Sequence, residues 1–415
     1  MRIVFYSTNS NVFDEKTFII SVMPSNKTMF EQFCKAHPEH EFFCVSQKPG
    51  MFLPEETAAK NIIYLPQQTQ TDDFVNSITA LKPDLAIAMT FWIEPYDWLT
   101  VSDALIAKKL EEQGIKTICN SIECGLTCFD KWRTHNKLKQ LGFEVPPAVF
   151  CDHDLYFCAG SNKEVVKNVY KESVLEQIKS LKLPVIIKDT TGLSSYGMTV
   201  AHTYGEVAGY LNSKRNNSNR IIEEFITGRQ FGLEIYGVPG LYYVLPLFEF
   251  SVNQYGITSP KQNTKFGPHE LLDSLIKMML DLAEGLDLHG LAQVDLILDE
   301  DGNWHIIEIN PRLSGMSYTY ACAYGLSVFE MIYRTCVEKK ALPHYAPFVT
   351  SLKLPIMTNE QMKETLKIEG VKLLNQTNDL AAKQEREKGF CECIIVAKEE
   401  SVLKATLDRL IIIFP

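Results

Sequence analysis

The chain has 415 residues, a formal net charge of −10 and a pI near 5.5, so two to four domains are expected and bulk attraction to nucleic acid is unsupported. No apolar run approaches the roughly 18 residues of a membrane span, and the opening Met1-Arg2-Ile3-Val4-Phe5-Tyr6 is too short for a signal peptide. The eleven cysteines lack paired Cys-x-x-Cys spacing, which argues against a disulfide framework or a zinc site and for buried free thiols in a cytoplasmic protein.

Residues 1 to about 120 alternate short apolar runs (Ile3 to Tyr6, Glu41 to Val45, Ile62 to Leu65, Leu85 to Met89, Thr117 to Cys119) with amphipathic segments such as Asp103 to Gln113. That alternation predicts a parallel sheet flanked by helices. Ser7-Thr8-Asn9-Ser10-Asn11 follows the first strand where a dinucleotide-binding enzyme would carry Gly-x-Gly-x-x-Gly, so a nicotinamide cofactor loses its main support. A helix is expected from Asp130-Lys131-Trp132-Arg133 to Leu141, with Gly142 beyond its end and Pro146-Pro147 preventing continuation.

An amphipathic helix from about Lys163 to Leu181 precedes the strand Leu183 to Lys188, the small-residue loop Asp189 to Gly197, and the strand Met198 to Ala201. Such a loop can wrap a phosphate in backbone amides and hydroxyls beside the lysine charge, and equally can be a plain hairpin loop. Next, Arg220-Ile221-Ile222-Glu223-Glu224-Phe225-Ile226 turns at Gly228 into a strand with Gln230, Gly232 and Glu234 on one face. This crossing suits adenine recognition or an ordinary polar edge strand.

From Leu291 to Ile309, two apolar runs flank Asp299-Glu300-Asp301-Gly302-Asn303, a hairpin signal. With Asp301-Gly302 as a two-residue turn, Asp295 falls opposite Glu308 and Gln293 opposite Asn310, all on one face. Opposed carboxylates roughly 4.5 to 5.5 Å apart repel, and a hard cation would relieve them; magnesium takes one or two carboxylates plus other oxygens. The opposite face would then carry Val294, Leu296, Leu298, Ile307 and Ile309, with His305 also on the core side. An acidic half-exposed hairpin without metal fits the same pattern.

Taken in order, Asp-Lys with Gly-x-x-x-Pro-Pro, strand-lysine with its Gly/Ser loop, Glu-Glu-Phe-Ile-x-Gly, then Asp and Glu-x-Asn-Pro-Arg, the chain resembles the ATP-grasp superfamily of ligases over roughly Thr117 to Met331. The resemblance implies an α/β architecture: a parallel-sheet domain preceding the grasp (1–125), a two-lobed α+β grasp fold with a small lobe and glycine-rich lid (126–235) and a large metal-binding lobe (236–340), then a small C-terminal α/β piece (341–415). Its strands there are Val371 to Leu374 and Cys391 to Ala397, its helix Ser401 to Leu410, and Ile411 to Phe414 is apolar enough to pack on the body or a second subunit.

Residue by residue, the resemblance implies that Lys131 and Lys188 contact ATP phosphates, with Ser194, Ser195 and Gly197 in the lid. Glu223 would take the adenine amino group, Glu224, Phe225 and Ile226 would supply backbone contacts, and Gln230 would meet the ribose, where many members carry glutamate. Asp295, Glu308 and Asn310 match magnesium ligands, with manganese as a substitute. Arg312 matches an arginine aimed at the transferred phosphoryl group or the carboxylate, and Lys261, preferred over Lys265, would be a further phosphate lysine. Gln293 stands where D-alanine–D-alanine ligases carry arginine, which puts that specificity in doubt.

The implied reaction is ADP-forming: a carboxylate becomes an acylphosphate and an amine, an amino acid or small peptide, attacks it. Candidate bases are Glu234, Glu249, His269 and His305. The substrate loops would be Asn253 to Pro268 and Ser314 to Tyr324, whose tyrosines suit either a substrate or helix packing. A grasp fold that only binds nucleotide, and a ligase loading a carrier-protein thiol, are the alternatives. Neither nucleic acid nor membrane is expected as a partner, and a homodimer is compatible with the sequence.

Overall fold

The computed structural model describes residues 1–8, 18–47, 61–66, 68–90, 99–158, 166–191, 198–252, 258–263, 269–379 and 390–414. The apolar run near the N-terminus is used on both sides: Ile3 and Phe5 enter one core, Val4 and Tyr6 another. Burial on both faces is the condition of a parallel sheet covered by helices. All five expected strands pair in parallel, in the order Ile62–Leu65, Glu41–Gln47, Arg2–Ser7, Leu85–Ala88, Lys116–Ile118. The order reverses beside Arg2–Ser7, so the crevice beyond Ser7 and Ala88 is the topological switch point at which such sheets bind ligands.

One strand escapes the expectation. Phe18–Met23 leaves this sheet and pairs antiparallel with Val371–Asp379. A second sheet, where the small lobe is expected, is four-stranded and antiparallel, ordered Ala148–Cys151, Arg220–Glu224, Val185–Asp189, Thr199–Ala201. A ten-stranded sheet forms the rest, among the described residues. Its path runs Trp304–Asn310, Gly290–Asp299, Gly228–Val238, Phe248–Val252, Thr258–Asn263, Phe348–Leu354, Phe390–Ala397, Val371–Asp379, Phe18–Met23, with Leu241–Val244 attached to Gly228–Val238.

The parallel sheet and its helix Asn26–Ala36 pack through aromatic side chains on the helical segment that begins at Val328. Phe5 lies 5.3 Å from Phe329, and Phe33 5.6 Å from Tyr333, centroid to centroid, both edge-on. Each fully buried ring contributes about 1.5–3 kcal/mol by area alone. Tyr318 and Tyr320 belong to the same core, with hydroxyls donating to Asn26 Oδ1 and the Pro246 carbonyl, so helix packing is what these two tyrosines do.

The expected helix starts as Lys131–Gln140, because the Asp130 carboxylate accepts the Trp132 and Arg133 amides at 2.8 and 2.9 Å. It ends before Gly142, whose φ of +82° suits glycine. At the C-terminus, Glu400–Ile413 turns Leu403, Leu407 and Leu410 inward. Three consecutive isoleucines cannot share that stripe, and Ile411, Ile412 and Ile413 are 55, 79 and 47% exposed; only Phe414 packs on the body as expected. The eleven cysteines are all free, and among the described residues no helix is long and apolar enough to cross a membrane.

Candidate functional site

The hairpin Gly290–Asp299/Trp304–Asn310 sets Gln293 opposite Asn310 and Asp295 opposite Glu308, as the residue count predicts. It does so by two irregularities that cancel. Asp299, not Glu300, faces Asn303, with the Asp299 amide donating to the Asn303 carbonyl at 3.0 Å, so the loop is Glu300-Asp301-Gly302 with Gly302 at φ +85°. A bulge between Asp295 and Leu296 then absorbs one extra residue and restores the expected register.

Between bulge and loop the faces are exchanged. Trp304 and Ile306, not His305 and Ile307, join Val294, Leu296 and Ile309 in the core. His305 instead pairs with Ile297 and donates through Nε2 to Asp299 Oδ2 at 2.7 Å, which corrects its expected core position.

The neighbouring strand Gly228–Val238 adds Gly232 opposite Asp295 and Glu234 opposite Gln293. Glu234, Gln293 and Asn310 therefore form one row across three strands, and Gly232, Asp295 and Glu308 the next. Gly232 has no room for a side chain: a Cβ there would lie 2.3 Å from Phe250 Cζ and 2.9 Å from Met316 Sδ. Side chains link into a directed chain: Arg312 donates to Asn310 Oδ1 at 3.1 Å, Asn310 to Gln293 Oε1 at 2.9 Å, and Gln293 to Asp295 Oδ1 at 2.5 Å. Lys131 Nζ stands 3.9 Å from Glu308 Oε1.

Lys131 and His135 lie one turn apart on the same helix face, about 6 Å along its axis. Lys131 reaches the hairpin carboxylate; His135 Nδ1 lies 3.6 Å from Glu223 Oε1 in the small lobe. Lys188 Nζ donates to Glu223 Oε2 at 2.6 Å. Trp132 stacks with both His135 and Phe150, with centroids at 5.4 Å in each case. One helix thus joins the two halves of the site. The Lys131 amide also donates to the Thr190 carbonyl at 2.7 Å, where the small-residue loop begins.

Burial alone would raise the Glu223 carboxyl, but Lys188 and His135 outweigh it and hold it down at about 2. Its folded value lies below the ordinary 4.5, so the stabilisation is present above pH 4.5 and lost as pH falls through 2. The drop amounts to about 3 kcal/mol. Wild type is accordingly expected to exceed Glu223→Gln in unfolding free energy by about that much at pH 6, the gap closing near pH 2. Urea titrations at several pH values measure it, and a gap independent of pH would contradict the assignment.

Other expected residues are distributed as follows. Glu224 Oε1 accepts the Lys182 amide at 2.8 Å, and the Glu224 and Phe225 amides donate to the Pro147 and Pro184 carbonyls, both at 3.0 Å. Phe225 is exposed, Ile226 half-buried, and Gln230 lies half-buried in the row beyond Gly232, opposite Ile297. Of Lys261 only the backbone is described, on Thr258–Asn263 opposite Phe250 and Ser351. Ser194, Ser195, Gly197 and Lys265 lie outside the described residues, as does the side chain of His269.

Glu249 is engaged by Arg229 in a two-pronged pair at 2.8 and 2.7 Å, and Glu234 is fully buried, so neither is poised as a general base. Beside Arg312 a cleft lined by Thr90, Asp103, Asn120 and His289 opens at the switch point of the parallel sheet. Burial lowers the His289 imidazole below its ordinary value. His135 and Trp132 escape sequence reading; their only signal is the i, i+4 spacing of His135 from Lys131.

Among the described residues no three His, Cys, Asp or Glu side chains come together as a metal cage. Asp295 and Glu308 with the Asn310 amide nonetheless suit magnesium, which asks for one or two carboxylates and otherwise takes water and phosphate oxygen. Nitrogen and sulfur donors that would favour zinc are missing from that row.

Comparison with known proteins bears on this arrangement. Residues 128–316 match the family described as ATP-grasp domain. The chain is 27% identical over 241 residues to a D-alanine–D-alanine ligase of Buchnera aphidicola, covering 55% of this chain and 75% of that protein. Among solved structures it resembles an L-amino acid ligase from Bacillus licheniformis, with a TM-score of 0.67, 15% identity and coverage of 99% and 96% of the two chains. N5-carboxyaminoimidazole ribonucleotide synthetase from Thermus thermophilus gives a TM-score of 0.67 at 17% identity, covering 98% of each chain.

Proposed function

We propose that this chain is an ATP-dependent ligase that joins a small carboxylate to an amine with release of ADP and phosphate, a reading supported by the match of residues 128–316 to the ATP-grasp domain and by the likeness to a D-alanine–D-alanine ligase. The carrying observation is the chain of donors from Arg312 through Asn310 and Gln293 to Asp295, set beside Glu308 and Lys131 and bridged by one helix to Lys188 and Glu223.

In this reading the small lobe takes the nucleotide. Glu223, kept ionised, accepts the adenine amino group, the crossing Glu224 to Ile226 flanks the base, and Gln230 hydrogen-bonds the ribose. Lys188 and Lys131 supply positive charge to the phosphates. Arg312, buried at the edge of the cleft, orients the substrate carboxylate and balances charge on the transferred group. A carboxylate oxygen attacks the γ-phosphorus, the bond to the β-bridging oxygen breaks, and ADP leaves. The amine then attacks the acyl carbon, the acyl carbon–oxygen bond to phosphate breaks, and the departing phosphate takes the proton the nitrogen gives up.

Asp295, Glu308 and Asn310 would hold magnesium, which when bound screens the phosphate oxygens against one another. The cleft of Thr90, Asp103, Asn120 and His289 is the place for the small substrate, because it lies both at the switch point and against Arg312.

The expected outcome is ADP release from Mg-ATP only when a particular carboxylate and amine are supplied together, screened over amino acids and short peptides. Tight ATP binding without turnover in any pool would overturn the ligase reading in favour of a fold that only binds nucleotide.

A further inference from the structure

Glu234 is the one carboxylate of the central row that no step above uses, and it is fully buried. Burying a carboxylate is costly unless hydrogen bonds replace its water. Here three hydroxyls do so: Ser314 Oγ and Ser317 Oγ donate to Oε1 at 2.9 and 2.7 Å, and the Tyr236 hydroxyl donates to Oε2 at 2.9 Å. Burial first, then the nearby Glu234 charge, raise the Tyr236 phenol well above its ordinary value, so it stays a donor.

The two serines have a second task. Ser314 Oγ accepts the Met316 amide at 3.0 Å and Ser317 Oγ accepts the Ser314 amide at 3.0 Å, closing the capping box that starts the helix Gly315–Tyr324. Because each hydroxyl proton points at Glu234, each oxygen presents its lone pairs to the backbone. A carboxylate is also favoured at a helix N-terminus. The helix begins three residues after Arg312, whose guanidinium donates to the Leu313 carbonyl at 3.3 Å and to Asn310 Oδ1 at 3.1 Å.

We propose that Glu234 is a positioning residue: through Ser314 and Ser317 it pins the turn from Pro311 to Ser314 to the central strand, and so fixes where Arg312 points. This rests on the ligase reading in assigning Arg312 to the reacting carboxylate, but the pinning itself does not. Glu234, fully buried beneath its hydroxyl donors, acts through the serines rather than on a reacting group. Its removal therefore shifts a group that acts in the transition state and leaves the nucleotide lobe as it was.

The test compares Glu234→Ala, Glu234→Gln, Ser317→Ala and Arg312→Ala, alone and as the Glu234→Ala/Arg312→Ala pair. Glu234→Ala is expected to lower kcat about 100-fold with KM for ATP within about 3-fold of wild type, since displacement of about 1 Å at a reacting group has that cost. Glu234→Gln keeps an acceptor for the serines and is expected to recover about 10-fold of the loss. The double variant is expected to match Arg312→Ala within about 2-fold, as residues acting through one contact are not additive.

Full kcat in folded Glu234→Ala, an effect confined to KM, or losses that multiply with Arg312→Ala would each overturn the proposal. Ser317→Ala, which deletes one hydroxyl, carries the test if Glu234→Ala does not fold. Should wild type itself show no turnover, the ligase reading fails separately, and amide hydrogen exchange decides: protection of the Ser314 and Met316 amides in wild type, lost at Ser314 in Ser317→Ala and weakened at both in Glu234→Gln, upholds the pinning, and exchange unchanged in Glu234→Gln refutes it.

Discussion

Glu308→Gln is expected to reduce ATP-dependent turnover on the order of 10³-fold while the protein melts within a few degrees of wild type. Two local terms oppose each other in the stability. Removing the charge relieves its repulsion with Asp295 directly across the hairpin, worth a few tenths to about 1 kcal/mol. It also removes the attraction to Lys131 at 3.9 Å, which in a partly exposed pair contributes about as little. The terms nearly cancel, and no cavity forms, because glutamine fills the same space. The chemistry has no such cancellation: an amide is a weak ligand for a hard cation and leaves phosphate charge less balanced. Steady-state ADP release and a thermal melt on the same sample measure both. Near-full turnover in Glu308→Gln would remove Asp295, Glu308 and Asn310 from the reaction.

Lys188→Met is expected to cost about 3–5 kcal/mol of stability, more than deleting an exposed lysine, because it strands the buried Glu223 carboxylate. Glu223→Gln added to Lys188→Met is expected to restore most of that loss, since neutral groups of the same shape no longer suffer the desolvation of an unpaired charge. Mg-ATP affinity separates fold from function here. The double variant regains stability and still binds Mg-ATP at least about 10-fold more weakly than wild type, having lost two of the groups assigned to the nucleotide. Urea unfolding and calorimetry provide the two readings. A stable double variant with wild-type affinity would show that the pair is only structural.

Much of the architecture is legible in the sequence because the signals are periodic. Five apolar runs in the first 120 residues are five strands of one parallel sheet, and Asp130 and Gly142 bound their helix by cap chemistry alone. The pairing of Asp295 with Glu308 is also legible, but for an incomplete reason: a three-residue loop and a bulge at Ile307 shift the register in opposite senses. The same bulge explains why counting puts His305 on the wrong face, since a period of two carries no signal for one inserted residue.

Tertiary partners are what the sequence does not supply. Nothing in Arg229 and Glu249 announces that they close on each other across strands, nor in Glu234 that two serines eighty residues away are its donors. His135 reads as an ordinary helix residue until Glu223 is brought beside it.

The strand Phe18–Met23 carries a consequence for how the chain is made. Its partner, Val371–Asp379, is separated from it by about 350 residues, among the longest closures available to this polypeptide. Closure entropy grows only slowly with length, so the native state tolerates the span; the folding rate does not, because such contacts form after the local ones. During synthesis the parallel sheet can assemble while this strand still has no partner, presenting a bare edge to neighbouring chains until the last tenth of the polypeptide emerges. Completion of the ten-stranded sheet is then a late event that ties first-made and last-made segments into one cooperative unit, so that damage near either end is felt at the other.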